Sequence, residues 1–223
     1  MGPNTFAYSN IGFTTLGWIV ERLSGVPFEQ FLKKNILDPL EMKDTFIFPD
    51  RASAEQRARI ANVDRRLPDA LDVDNYDKAR PGWTYPSPEA GLYSTAGDLR
   101  RFLTLFRHRG QLPGHQRILS ERSSKQLLND RAPNEDFGCD GQIGRSLGFY
   151  VVRHGDCFSQ PGPDAGTISH AGRFLTLYWY NPVKDEIGVF LEQRVTRRDA
   201  KTMNSFLGER EAFMQMLERI KTR

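Results

Sequence analysis

Cysteine and histidine are scarce in this sequence, two of one and four of the other among 223 residues. Cys139 and Cys157 are too few to define a disulfide framework or a redox compartment, and pairing across neighbouring strands and free thiols both remain open. Neither these cysteines nor His154 and His170 form a ligand pair at the close spacing of structural zinc, so no metal and no other cofactor is expected. Long apolar runs are missing as well. Nothing reaches the 18 or so consecutive apolar residues that a membrane helix needs, and MGPNTFAYSN has neither the basic nor the apolar region of a secretory leader, so no membrane segment is expected in this chain and no compartment is assigned. A basic stripe is absent too: net charge is +3, yet the basic residues are scattered among 28 acids and only TRRDAK near Thr196 gathers them, which argues against a nucleic-acid partner.

What is present is a chain that is 39% apolar, enough for a real core, with no internal repeat and no low-complexity segment. From Gly12 to Ser24 the residues Phe13, Leu16, Val20 and Leu23 recur at helical spacing, with Gly25 where a left-handed cap would sit. Pro27 then opens a second helix whose apolar face is Phe28, Phe31, Leu32 and Ile36, ending before Pro39. Residues 50–90 are polar and proline-rich, with a weak helical pattern over 52–60, and are expected to form a long surface excursion. Trp83 and Tyr85 in it suit either a binding-site wall or a loop pinned to the core. In GLYSTAGDLRRFLTLF, Thr95 as N-cap with Asp98 three residues later resembles a capping box, and Leu99, Phe102, Leu103 and Phe106 share a face. Ser120 is expected to cap a short helix through Leu128.

After Gly141 the period becomes extended. LGFYVVRH and DCFSQ flank a Gly155 turn, and TISHAGRFLTLYWYN and EIGVFLEQ flank Pro182–Asp185, so consecutive antiparallel hairpins are expected. A closing helix carries Phe206, Phe213, Leu217 and Ile220 on one face.

Three segments agree in order and spacing with one family. They are Tyr8-Ser9-Asn10, followed by a helix ending in Ser-Gly and by Asp38-Pro39-Leu40-Glu41-Met42 and Thr45; GLYSTAGDL; and His170-Ala171-Gly172. The chain resembles the serine hydrolases of the class C β-lactamase and D-alanyl-D-alanine carboxypeptidase type, with the related esterases, in their C-terminal portion over 1–223. The resemblance implies an α+β fold: a mainly helical part to about 140 with the long loop 50–90, then an antiparallel sheet of C-terminal hairpins with a flanking C-terminal helix over about 141–223, the whole incomplete. It implies a small-molecule or peptide-like substrate.

Acyl transfer needs an activated nucleophile, a base within reach and donors aimed at the developing oxyanion. By resemblance Tyr8 is the base or part of the proton relay, against the bland reading of a tyrosine anchoring the first helix. Asn10 binds the substrate amide and the catalytic side chains, or caps the helix beginning near Gly12. His170 supplies a donor, with or without a charge, where a lone strand histidine is otherwise a partly exposed surface residue. Gly172 invites close approach of a backbone or ligand, and the N–H of Arg173 falls where the family has an oxyanion donor. Gly2-Pro3 in place of the family's Pro-Gly, and Ala171 in place of a frequent threonine, bear on the substrate more than on the fold.

The family's nucleophile is the serine of Ser-x-x-Lys. Three residues before Lys33, Lys34, Lys43, Lys78, Lys125, Lys184, Lys201 and Lys221 stand Gln30, Phe31, Leu40, Asn75, Arg122, Asn181, Arg198 and Glu218, none of them serine. Holding a tyrosine as phenolate at neutral pH costs roughly 4 kcal/mol, for which a nearby lysine ammonium ordinarily compensates. Without it Tyr8 is expected to be a poor base. The chain therefore reads as the C-terminal portion of such an enzyme, inactive alone, with a missing N-terminal segment as its expected partner and with sheet edge and face left uncovered. The alternative is a non-catalytic binding module or remnant of the same fold.

Overall fold

The computed structural model describes residues 7–61, 85–112, 114, 116–135, 137, 140–155, 164–172, 174–193, 212–213 and 215–216. The described residues up to Leu128 form one compact unit and those from Asn129 onward a second.

The first unit is helical. Helix α1 spans Asn10–Ser24, started by the Ser9 hydroxyl, which accepts the Gly12 N–H at 3.0 Å, and stopped by Gly25 in the left-handed region with φ 73°. Helix α2, Phe28–Leu32, follows an extended Pro27 and runs into a π-helical turn, Lys33–Leu37, ahead of Pro39. Leu37, Leu40 and Met42 then pack with Leu105 and Leu112 as one apolar cluster, with Leu32, Ile36 and Phe102 at its margin. The excursion after Asp50 begins with more order than its polarity suggests: α3, Ala54–Ala58, is fixed by a reciprocal capping box between Ser53 and Gln56. Trp83 lies outside the described residues.

Helix α4 spans Ala96–Arg107 and α5 Glu121–Leu128. Ser120 caps α5 by accepting the Ser123 N–H at 3.0 Å, and Thr95 caps α4 by accepting the Asp98 N–H at 3.2 Å. The Asp98 carboxylate is put to another use than a capping box. Buried almost completely, it accepts the Asp44 N–H at 2.8 Å and the Thr45 hydroxyl at 2.9 Å, and it pairs with Arg101 at 2.9 Å. Phe46 and Tyr93 bridge alongside with their rings stacked 5.4 Å apart. The Thr45 and GLYSTAGDL motifs thus meet as one buried polar clasp that holds the segment after α2 against α4.

The apolar stripe of α1 faces the unexpected way. Gly17 is its one buried residue, and a Cβ there would lie 2.3 Å from Pro88 Cγ. Thr14 donates to Glu89 at 2.9 Å on the same side. Phe13, Leu16 and Leu23, which recur at helical spacing, are exposed, Leu23 by 83%, together with Ile11, Trp18 and Ile19. The helix meets its own unit through its small and polar face. Tyr85 lies near the same contact: burial, then Glu21 and Glu89, raise its phenol above the ordinary value.

The second unit is a five-stranded antiparallel meander in the order β1-β2-β3-β4-β5. Its strands are β1 Ile143–Arg145, β2 Tyr150–Val152, β3 Ile168–Ala171, β4 Leu177–Asn181 and β5 Glu186–Phe190. The extended arm TISHAGRFLTLYWYN is two strands, folded at Gly172, where Gly172 N–H bonds Thr176 O at 2.8 Å and Leu175 takes φ 63°. Pro182–Asp185 is the expected turn, templated by buried Asn181, whose Oδ1 accepts the N–H groups of Val183 at 2.9 Å and Lys184 at 3.1 Å. Trp179, 1% exposed, lies over Gly188, where a Cβ would come 1.9 Å from the indole, and Phe213 from the closing helix meets it edge-on at 6.5 Å. Phe206, Leu217 and Ile220 lie outside the described residues, as do DCFSQ and both cysteines.

Candidate functional site

Tyr8 and Asn10 stand at the entrance to α1. Tyr8 is in the extended residues before the helix and 60% exposed. Its neighbour Ser9 takes the capping role, so Asn10 is the first helical residue and not the N-cap; its carbonyl accepts the Thr14 hydroxyl at 3.2 Å. The Asn10 side chain, exposed and relieved of capping, can face a ligand with both its donor and its acceptor.

His170 and Gly172 belong to the second unit, on and just after β3. Arg173 lies outside the described residues. His170 is in register with Tyr178 on β4, on the sheet face opposite to Trp179, and its imidazole stacks 6.4 Å from the Tyr178 ring. The Tyr150 ring lies 5.9 Å away on the other neighbouring strand. His170 is accordingly partly exposed and flanked by two aromatic rings. Burial, then the positive charge of Arg145, lower its pKa below the ordinary histidine value, while a hydrogen bond with the Ala171 backbone works the other way. The shift favours the uncharged imidazole, which can both donate and accept. Burial also pushes the Tyr178 phenol up to about 12.

The close neighbour that Gly172 admits is the Thr176 side chain, since a Cβ would fall 2.3 Å from its Oγ1. Its smallness closes the β3–β4 turn.

Three neighbours of His170 were not singled out by the sequence: Arg145, Tyr150 and Tyr178. The Arg145 guanidinium lies 3.5 Å over the Tyr150 ring. Its strand is anchored by Asp130, whose Oδ1 accepts the Arg145 N–H at 3.1 Å and the Ala132 N–H at 3.0 Å. Arg153 holds Asp130 from β2 through Nε at 2.6 Å, and spends its other donors on the carbonyls of Ala132, Glu135 and Gly141. Burial works to raise the Asp130 pKa, but the Arg153 hydrogen bond and charge and the two backbone N–H groups outweigh it and hold the carboxyl below its usual range. Gly144 makes room for this carboxylate, 2.3 Å from where its Cβ would be. Among the described residues no three His, Cys, Asp or Glu side chains gather as a metal site would require, and no helix is long and apolar enough to cross a membrane.

The Beta-lactamase family model matches residues 3–210. Protein Rv1367c of Mycobacterium tuberculosis is 31% identical over 196 residues, which cover 80% of this chain and 46% of that protein. A penicillin-binding protein homologue from Caulobacter crescentus superposes with a TM-score of 0.59 at 20% identity, covering 80% of this chain and 50% of the other. Simvastatin synthase LovD from Aspergillus terreus superposes with a TM-score of 0.65 at 16% identity, covering 87% and 52%. At these identities the two structures speak for the fold alone, that of the β-lactamase and transpeptidase type. The chain spans about half the length of the proteins it matches.

Proposed function

We propose, since the chain belongs to the Beta-lactamase family, that it forms the wall and proton-handling side of a serine acyl-transfer site and does not acylate on its own. In this reading Tyr8 relays the proton, Asn10 binds the substrate's amide, and His170 offers a neutral imidazole. The N–H groups near Gly172 and Arg173 face the developing oxyanion. The attacking serine and its lysine lie on polypeptide other than these 223 residues, none of whose lysines has serine three positions before it. The substrate class is a β-lactam, a D-alanyl peptide, an ester or an amide.

The observation that carries this reading is the packing of α1. The helix that follows the Tyr8-Ser9-Asn10 motif uses Gly17 inward and turns Ile11, Leu16, Ile19 and Leu23 outward. A cluster of large apolar side chains of this kind marks a surface that more protein covers, and the relatives are about twice as long. A non-catalytic remnant that keeps the walls is the second reading, favoured by the same lack of Ser-x-x-Lys. Incubation of the 223-residue chain with a fluorophosphonate or a labelled β-lactam tests the proposal by intact mass. No covalent adduct is expected, and a stoichiometric serine adduct on this chain would overturn it.

A further inference from the structure

Contacts involving four strands run transversely across the sheet: Arg145 on β1 to Tyr150 on β2, Tyr150 to His170 on β3, and His170 to Tyr178 on β4. We propose that Arg145 is a positioning residue for His170, acting through the ring of Tyr150. Arg145 is only 7% exposed, and its backbone is tied to Asp130, so its guanidinium is held over the ring instead of extending into solvent. At 3.5 Å from the centroid, the contact is well inside the range in which a cation is drawn to an aromatic face. The ring so held is 5.9 Å from the imidazole, at an interplanar angle of 41°, and Tyr178 closes the other side at 24°. Arg145 therefore fixes the plane of His170 through a spacer, and its charge acts with burial against the imidazolium form.

The charged and titratable groups that face the imidazole, among the described residues, are Arg145 from β1, Tyr150 from β2 and Tyr178 from β4. Tyr178, pushed up to about 12, stays neutral while a histidine titrates. The consequence for acyl transfer, an oriented imidazole that can accept as well as donate, rests on the reading of His170 as a site residue; the positioning itself does not.

The test is a proton NMR titration of the His170 ring in the full 223-residue chain, with the signal assigned by His170→Gln. Arg145→Met is expected to raise the titration midpoint of His170 and to reduce the ring-current displacement that Tyr150 imposes on its protons. Arg145→Lys keeps a charge without the flat guanidinium, so the midpoint stays low while the ring-current displacement falls. An Arg145→Met protein whose His170 midpoint and ring shifts match the parent would overturn the proposal. Should Arg145→Met fail to fold, Arg145→Lys carries the test through the ring-current displacement alone: a fall in it supports the proposal, and an unchanged displacement refutes it. Acylation is not measured in these titrations, so the proposal and the reading of the site can fail separately.

Discussion

Two glycines summarise how differently the two units are built. Gly188 sits beneath Trp179, the largest side chain of the sheet, which is buried and backed by Phe213. Gly17 sits beneath Pro88, on a helix whose large side chains point away from that contact. In the sheet unit small residues make room for large ones that the chain itself covers. In α1 the small residue makes the contact and the large ones are left over. Fully burying a Leu or Ile side chain contributes about 1.5–3 kcal/mol, so a helix that leaves Leu16, Ile19 and Leu23 exposed by 54%, 39% and 83% forgoes roughly one to two such contributions. The difference teaches that the sheet covers its largest side chain from within its own unit, whereas α1 leaves its large apolar side chains exposed.

The glycines offer the sharpest way to break this comparison. Gly188→Ala forces a methyl to within 1.9 Å of an indole that has nowhere to go, and overpacking of this kind is expected to cost about 3 kcal/mol. Gly17→Ala brings a methyl to 2.3 Å from Pro88, but the gain of about 1 kcal/mol in helix propensity offsets part of the clash, so a net loss of about 1 kcal/mol is expected. Urea denaturation of the two variants measures both, and equal losses would remove the distinction. A smaller effect is expected on the outward face. Leu16→Gln and Leu23→Gln should change the stability of the 223-residue chain by no more than about 0.5 kcal/mol, whereas a core truncation such as Leu103→Ala should cost about 2–5 kcal/mol. A loss above about 2 kcal/mol for Leu23→Gln would mean that the chain already covers this face.

What was legible in the sequence was local. Gly25 ends α1, Ser120 starts α5 and Pro182–Asp185 turns β4 into β5, each through bonds made within a few residues, whereas the cap of α1 was read at Asn10 and is Ser9. What escaped depended on partners distant in the chain. Periodicity says which residues of α1 share a face, yet only the Pro88 contact tells which face turns inward. The fold between β3 and β4 went unread because Leu175, an ordinary-looking residue, holds the positive-φ position instead of a glycine. Asp98 looked like a helix cap and is a clasp for Asp44 and Thr45, more than fifty residues upstream. The motif residues Tyr8, Asn10 and His170 could be named from their order, but the Arg145–Tyr150–His170 contacts exist only through strand register.

The central claim, that this chain holds the proton-handling side of an acylating serine, is tested most directly by joining it to a Ser-x-x-Lys segment of a full-length relative and timing acylation by a fluorophosphonate. The joined protein should acylate at that serine, and Tyr8→Phe should slow the reaction by about a hundredfold or more, the usual contribution of a positioned acid–base group. Acylation at the parent rate in the Tyr8→Phe protein would contradict the account.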